Sequence, residues 1–160
     1  MSVQERLKTL FDGQGVTYTV LEHAHADTSQ SVALARGTPL HWGGKALVFK
    51  LGKTKQFALF VVNAHRQVQS KRIRQHLGLS RLRFATKEEL LRLTTLTPGC
   101  VPPFGAPIFD LPLYVDAHLV QQETIAFSMG SHTTSVTLSV KEYLDVAQPT
   151  GIFEFSEEAL

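Results

Sequence analysis

The chain has 160 residues, 43% of them hydrophobic, and a formal net charge of +2. This length and composition suit one compact domain, predicted to span residues 1–160, and no apolar run approaches the roughly 18 residues that cross a membrane. The single cysteine, Cys100, excludes an internal disulfide and favours a cytoplasmic setting, and the charged, amphipathic N-terminus lacks the apolar segment of a signal peptide.

The first half of the chain is predicted to mix helices and strands. The predicted elements are a helix at residues 2–11, a strand at 16–23, a helix at 28–37 capped by Asp27, a hairpin of strands at 45–51 and 56–62, and a basic helix at 69–78.

The second half begins with a strand and a helix and continues, after an irregular stretch, mainly as strands. Its predicted elements are a strand at 81–85, a helix at 87–93 opened by a Thr86–Glu89 capping box, strands at 112–120, 124–130 and 134–140, a helix at 142–147 opened by a Ser139–Glu142 capping box, and a strand at 151–155. Residues 94–107 contain four prolines and two glycines and predict no regular element. This order predicts an α/β domain with a mixed sheet, not a plain Rossmann repeat.

Charge is unevenly distributed along the chain. Residues 28–87 contain twelve Lys or Arg and no acidic residue, whereas residues 93–160 hold eight acidic residues and one basic residue, Lys141. Two opposed halves of this kind predict an electropositive face, which is typical of proteins with phosphate-bearing partners. The alternative is that these side chains are solvated, or paired with the acidic half after folding.

Residue types that serve as metal ligands or nucleophiles are scattered. His23 and His25 form an H-x-H pair without a third ligand at a characteristic spacing, so a strand-end loop is favoured and no metal site is predicted. Cys100 lies in a Gly/Pro loop, and a covalent role stays open because no partner base is identified. The G-x-S-x-G, phosphate-loop and G-x-G-x-x-G motifs are absent.

Two stretches carry the most distinctive chemistry. In "HWGGKALVFK", Lys45 follows two glycines at the start of an apolar strand. One interpretation is a solvated lysine at a strand end. The other is an amine held in a cleft, where it would bind an anion or a carbonyl group. In "PGCVPPFG" (98–105), glycines allow close approach of backbone amides to a ligand and prolines fix the loop. Such a loop suits the binding of an oxyanion. The same pattern equally supports a tight structural crossover with no role in binding.

Taken together, these segments resemble the YbaK/prolyl-tRNA-synthetase-associated domain family, the free-standing relatives of the bacterial prolyl-tRNA synthetase editing domain. The resemblance covers roughly residues 16–146, with segments in family order. "GGKALVFK" is similar to the strand that starts with the family's functional lysine, and "PGCVPPFG" carries the family's G-x-x-x-P loop as Gly99 to Pro103. The resemblance implies a YbaK-like fold, with a mixed, partly barrel-like central sheet flanked by helices.

The resemblance also implies an activity: hydrolysis, in trans, of the ester of a mischarged tRNA, commonly tRNA-Pro carrying Ala, Cys, Ser or Thr. It implies that Lys45 acts as the catalytic residue that anchors the ester or the terminal phosphate, with assistance from the ribose hydroxyl of the substrate. The substrate-binding residues that we expect are Tyr18, Gly99, Cys100, Val101, Pro103, Phe104, Gly105, Ser128, Gly130 and His132. The tRNA-binding residues that we expect are Lys53, Lys55, Arg66, Lys71, Arg72 and Arg74.

No cofactor, metal or membrane partner is expected. The expected partner is mischarged tRNA, with a synthetase as a transient partner left open, and the protein is expected to be a monomer or a weak homodimer.

The alanine-specific branch of the family typically carries His-Pro after the aromatic residue of a late strand, whereas this chain has Ser128-Met129-Gly130 after Phe127. This arrangement is more similar to the cysteine branch or to the less defined branches. A small site that excludes cognate proline by size and shape is expected.

Two other functions remain open at this point. One is a tRNA- or nucleotide-binding module that keeps the fold and the charge but has lost turnover. The other is a hydrolase of a different small ester or thioester, for which the basic segment would be incidental.

Overall fold

The computed structural model describes residues 1–159. Its helices are α1 (Val3–Gly13), α2 (Ser29–Arg36), α3 (Ser70–Leu77), α4 (Lys87–Thr94), α5 (Ala117–Val120) and α6 (Val140–Ala147), with a short 3₁₀ turn at Leu40–Trp42. Its strands are β1 (Tyr18–Glu22), β2 (Gly44–Leu51), β3 (Phe57–Asn63), β4 (Arg66–Val68), β5 (Leu82–Phe84), β6 (Leu113–Asp116), β7 (Thr124–Ser128), β8 (Thr134–Ser139), β9 (Gly151–Phe153) and β10 (Ser156–Glu158).

A five-stranded mixed sheet forms the centre of the molecule, in the order β5-β2-β3-β6-β9. The β2–β3 and β2–β5 pairs are antiparallel, and the β3–β6 and β6–β9 pairs are parallel. A second sheet, β1-β8-β7, is antiparallel and meets the central sheet through a bridge between Gly43 and Ala126. The predicted α/β class with a mixed sheet flanked by helices is confirmed, whereas barrel-like closure is not.

Strand β3 explains why the core lies on both faces of the central sheet. All seven of its residues are buried. Because side chains alternate along a strand, Phe57, Leu59 and Val61 join one hydrophobic cluster and Ala58, Phe60 and Val62 join the other. Helix α1 packs on the first cluster and α3 on the second, so the sheet is covered on both sides.

Several predicted element ends were wrong, and side-chain hydrogen bonds explain two of them. The N-cap of α2 is Thr28 and not Asp27, because the Thr28 hydroxyl accepts from the Ser31 N–H. The predicted strand at 112–120 ends at Asp116, whose carboxylate accepts from the His118 N–H and caps α5. The same carboxylate accepts from Phe155 N–H and Ser156 Oγ–H.

Two further predictions hold only in part. Ser139 does cap α6, but Glu142 accepts from the Thr17 N–H, so the second capping box is half formed. The predicted strand at 151–155 ends at Phe153, and the chain then pairs with β4 as β10 in a separate two-stranded sheet. Within residues 1–159, no helix combines the length and the apolar character that a bilayer crossing needs.

Candidate functional site

A cavity of about 220 Å³ opens where α2, the start of β2 and the loop after α4 meet. Its walls come from segments far apart in sequence, which the bridge between the two sheets brings together. It is lined by Asp27, Thr28, Ser29, Val32, Ala33, Arg36, Leu40, Gly43, Gly44, Lys45, Ala46, Leu47, Ala64, Gly99, Val101 and Ser128.

Lys45 is half-buried in this cavity. Strand β2 fixes its position, because Lys45 pairs with Val62 in the antiparallel ladder with β3. The Lys45 ammonium donates to the Arg66 carbonyl oxygen at 2.9 Å, which leaves two of its three N–H groups for a ligand. Burial lowers the pKa of Lys45, because a charged amine is less well solvated there than in water. The position of Lys45 therefore favours an amine held in a cleft over a solvated lysine at a strand end.

Arg36 is a second cation in the cavity wall, and the sequence analysis missed it. Its Nε donates to Ser135 Oγ at 2.7 Å and its Nη2 to Ser128 Oγ at 3.3 Å. Burial lowers the pKa of Arg36 to about 10, so the guanidinium is charged at neutral pH. Among residues 1–159, neither Arg36 nor Lys45 forms an ion pair with a carboxylate.

A signal for Arg36 was present in the sequence. Val32, Ala33 and Arg36 are three and four residues apart and therefore share one face of α2. An arginine on the otherwise apolar face of a short helix is a candidate for a buried functional cation.

The two glycines before Lys45 serve close packing. A Cβ on Gly43 would lie 2.8 Å from Ala64 Cβ, and a Cβ on Gly44 would lie 2.8 Å from Ile125 Cδ1. The side chains that these glycines lack would point at protein atoms and not at open space. Gly43 allows close approach to the turn between β3 and β4, and Gly44 allows β2 to approach β7 closely.

The loop at 98–105 is anchored by hydrogen bonds and leaves two of its backbone N–H groups without an acceptor. Gly99 has φ +86°, and the Pro103 carbonyl accepts from the buried Tyr143 hydroxyl at 2.6 Å. The Cys100 N–H donates to the Thr97 carbonyl. Within residues 1–159, the N–H groups of Gly99 and Val101 donate to no protein acceptor, and both residues line the cavity. Backbone donors of this kind suit a developing oxyanion.

Of the expected substrate residues, Gly99, Val101 and Ser128 line the cavity together with Lys45. His132 lies behind the loop, where its Cε1 is 3.1 Å from the position of a Cβ on Gly99. The other six lie outside the cavity lining, and their roles stay predictions: Tyr18, Cys100, Pro103, Phe104, Gly105 and Gly130.

Those six residues have structural surroundings. The Tyr18 hydroxyl donates to Asp12 at 2.9 Å, which raises the pKa of Tyr18, and its ring packs on Phe11. Cys100 is buried beside the Thr97 hydroxyl, and the Gly130 N–H donates to its carbonyl. Phe104 is fully buried in the first hydrophobic cluster, and Pro103 and Gly105 flank it.

A second concave surface, the basic groove, lies between the β2–β3 turn, β5 and α3. It encloses about 560 Å³ and is lined by Lys50, Gly52, Lys53, Ser70, Arg74, Ser80, Arg81, Leu82 and Arg83. Arg83 pairs with Glu89 at 2.7 Å. Lys50 lies five residues beyond Lys45 on β2, roughly 17 Å at the usual strand rise.

The expected tRNA-binding residues lie in different surroundings: some line the basic groove, some are exposed outside it, and some bond to other protein groups. Lys53 and Arg74 line the basic groove, and Lys55 and Lys71 are exposed outside its lining. Arg66 donates to Ser156 Oγ at 2.8 Å and to the Ser156 carbonyl at 3.2 Å, and Arg72 pairs with Glu154 at 2.7 Å. The groove cations that were not among the expected tRNA-binding residues are Lys50, Arg81 and Arg83.

Comparison with known proteins gives consistent matches. Residues 23–146 match the aminoacyl-tRNA editing domain family. The chain is 32% identical over 148 residues, 91% of this chain and 88% of the relative, to the multifunctional Ser/Thr-tRNA deacylase ProXp-y of Escherichia coli K12. It is 22% identical over 154 residues, 94% of each chain, to the prolyl-tRNA editing protein ProX of Acetoanaerobium sticklandii. A crystal structure of a proposed trans-editing enzyme for prolyl-tRNA synthetase has a TM-score of 0.82 at 25% identity and covers 98% of both chains.

Proposed function

The chain belongs to the aminoacyl-tRNA editing domain family, and we propose that it is a free-standing deacylase that hydrolyses the ester of mischarged tRNA in trans. The proposed substrate is tRNA-Pro carrying a small wrong amino acid, namely Cys, Ala, Ser or Thr. The relatives support this choice, since one is a Ser/Thr-tRNA deacylase and another a prolyl-tRNA editing protein. The observation that carries the proposal is that Lys45, Gly99 and Val101 line one small cavity, and that the Gly99 and Val101 N–H groups donate to no acceptor within residues 1–159.

The chemistry of the ester suits this arrangement. An aminoacyl ester is already activated, so its hydrolysis needs a positioned water and stabilisation of the tetrahedral oxyanion. In the proposed complex the Gly99 and Val101 N–H groups donate to the carbonyl oxygen as negative charge develops on it. The Lys45 ammonium, held by the Arg66 carbonyl, binds the ester end of the substrate or its terminal phosphate.

Two groups are available to bind the attacking water and to accept or relay its proton. The lining contains one carboxylate, Asp27, and no histidine or cysteine among the residues described above. The second available group is the ribose hydroxyl next to the ester. Water attacks the carbonyl carbon, the bond to the ribose oxygen breaks, and the proton released by the water passes to that oxygen, so the products are the free amino acid and the uncharged tRNA.

The basic groove is the proposed binding site for the tRNA phosphates. Of its five cations, Lys50, Lys53, Arg74 and Arg81 form no ion pair within residues 1–159. Neutralisation of phosphates by such residues makes affinity fall steeply with salt. Lys55, Lys71 and, more weakly because of their internal partners, Arg66 and Arg72 extend this surface in the proposal.

We place the enzyme in the cytoplasm, where its tRNA substrate is charged, as a single editing domain over residues 1–160. It acts as a monomer or weak homodimer, and a synthetase enters only as a transient partner.

A panel of charged tRNAs tests the proposal. Purified tRNA-Pro is acylated with labelled Ala, Cys, Ser, Thr or Pro, and release of the label is followed with catalytic amounts of the protein. We expect release of at least one of the four small amino acids, with prolyl-tRNA spared. Tight binding without release from any member of the panel would contradict the proposal and favour a non-catalytic tRNA-binding module. Equal turnover of a simple aminoacyl ester without tRNA would favour a general esterase.

A further inference from the structure

Arg36 is a charged side chain of the cavity wall whose charge no described residue neutralises. The guanidinium is half-buried, and burial lowers the pKa of Arg36 only to about 10, so it is charged at neutral pH. Its Nε–H donates to Ser135 Oγ at 2.7 Å and its Nη2–H to Ser128 Oγ at 3.3 Å, and both acceptors are neutral. It forms no ion pair within residues 1–159. Since a charged group at this depth is normally paired, an anionic ligand would offset the cost of its burial.

The Nη1 side of the guanidinium is open to the cavity. Nη1 donates to no acceptor within residues 1–159 and is not fully enclosed by protein. It lies 3.9 Å from the position that a Cβ on Gly43, another lining residue, would occupy. Arginine carries five N–H donors in a planar fork, and the serines use two of them. The Nη1–Nη2 edge therefore keeps three donors, a pattern that suits two oxygens of one anion.

The Lys45 side chain lies on the same wall as Arg36 Nη1. Gly43 and Lys45 are two residues apart in extended backbone, so their side-chain positions share one face of the chain. Such positions are about 7 Å apart, and Arg36 Nη1 lies beside the first of them. Lys45 keeps two N–H groups after it donates to the Arg66 carbonyl oxygen. Two cationic side chains on one wall, neither paired with a carboxylate within residues 1–159, favour an anion that contacts both.

A hydrogen-bonded chain behind Arg36 fixes its orientation. Ser135 Oγ, which accepts from the Arg36 Nε–H, lies 2.8 Å from His23 Nε2. His23 Nδ1 lies 2.9 Å from the Ala24 carbonyl oxygen, which can only accept, so Nδ1 carries a proton. This chain holds the guanidinium in place before a substrate arrives, which lowers the entropy lost on binding.

We infer that Arg36 is a substrate-binding residue whose Nη1–Nη2 edge binds the phosphodiester that links the last two nucleotides of the tRNA, beside the Lys45 amine. This inference rests on the proposed deacylase function. At the aminoacylated end of a tRNA the ester is neutral and the α-amino group is cationic, so this phosphodiester is the anion nearest to the reacting carbonyl. The two cations attract it and repel the α-amino group, which sets the direction in which the ester enters the cavity. Binding of a group away from the reacting bond places the carbonyl for attack.

Two substrates that differ only in the charge of this phosphate test the inference. Both are acceptor-stem RNAs of tRNA-Pro that carry the same amino acid. The linkage between their last two nucleotides is the phosphodiester in one and the uncharged methylphosphonate in the other. Deacylation kcat/KM is measured for the wild-type protein, Arg36→Met, Arg36→Lys and Arg92→Gln. Arg92 is exposed and lies outside both concave surfaces, so its variant is the matched control.

We expect the wild-type protein to favour the phosphodiester about ten- to hundredfold, the range for hydrogen bonds between charged groups. Arg36→Met should lower kcat/KM for the phosphodiester by about tenfold or more and leave that for the methylphosphonate nearly unchanged, because the interaction is absent there. Arg36→Lys should keep part of the preference, and Arg92→Gln should keep all of it. Equal losses on both substrates would show that Arg36 only ties α2 to β7 and β8 through the two serines, and would overturn the inference. Equal wild-type rates on the two substrates would also overturn it, and that comparison needs no variant to fold.

A binding measurement without turnover separates this inference from the proposed function. The dinucleotide CpA, which matches the end of an uncharged tRNA, is titrated into the isotope-labelled protein, and the Arg36 Nε–H resonance is followed by NMR. We expect a shift with CpA and none with its methylphosphonate form. A shift with free alanine but not with CpA would assign Arg36 to the carboxylate of the released amino acid and overturn the inference. A phosphate-dependent shift without deacylation of any tRNA would contradict the proposed function and support the phosphate site.

Discussion

Gly99→Ala should damage activity more than stability. Gly99 has φ +86°, a conformation that costs a non-glycine residue about 1–2 kcal/mol. A Cβ there would also lie 3.1 Å from His132 Cε1, so the histidine ring or the loop must move. Alanine relieves both strains by turning the peptide, which moves the Gly99 N–H away from the cavity. Loss of one oxyanion donor lowers kcat by about 10²–10³-fold.

Gly15→Ala is the matched control. Gly15 has φ +66°, and a Cβ there would meet no atom within 4 Å, so it carries the backbone strain without the loop displacement. Both variants should lower the Tm by about 2–8 °C, since about 1 kcal/mol corresponds to about 2–4 °C at this chain length. Steady-state deacylation separates them: Gly99→Ala should be nearly inactive and Gly15→Ala should match wild type. Full activity in folded Gly99→Ala would refute the proposed role of the loop amides.

Three further outcomes are expected. A double variant with Lys50→Ala and Arg74→Ala should weaken tRNA binding whichever amino acid is attached. It should also reduce the slope of log Kd against log salt concentration by about 1–2. An unchanged slope would exclude the basic groove as a phosphate-binding site. Gly44→Ala should lower the free energy of unfolding by about 1–3 kcal/mol in urea titration, because its Cβ would lie 2.8 Å from Ile125 Cδ1, and Ile125→Val should recover part of the loss. Burial lowers the pKa of Lys45, so its charge is lost, as the pH rises, earlier than that of an exposed lysine. Enzymatic deacylation, after subtraction of spontaneous hydrolysis, should therefore decline at alkaline pH, and Lys45→Arg should move the decline upward.

The sequence was most informative where the signal is local. A nearly continuous apolar run predicted β3 within one residue of its observed start and end, and the capping box at Thr86 predicted the start of α4. Lys45 was identified because a charged residue at the start of an apolar strand is unusual. The Gly99 loop was identified because several glycines and prolines occur there within a few residues. Both features line the cavity.

The sequence was less informative where a residue's role depends on tertiary contacts. Asp116 ends β6 because its carboxylate also bonds Phe155 and Ser156, about forty residues away in the chain. Arg36 gains its position from Ser135, which no local pattern connects to α2. Arg72 looked like a free cation but pairs with Glu154.

The most direct measurement of the central claim is the single-turnover rate of tRNA deacylation by Lys45→Met with saturating protein. Saturation removes any effect of weaker tRNA binding, and methionine keeps the apolar stem in the half-buried site. Lys87→Met, on the exposed surface of α4, is the matched control. The account predicts a loss of about 100-fold or more for Lys45→Met, comparable to removal of an oxyanion donor, and a wild-type rate for the control. A wild-type rate for folded Lys45→Met would contradict the assignment of this cavity as the deacylase site.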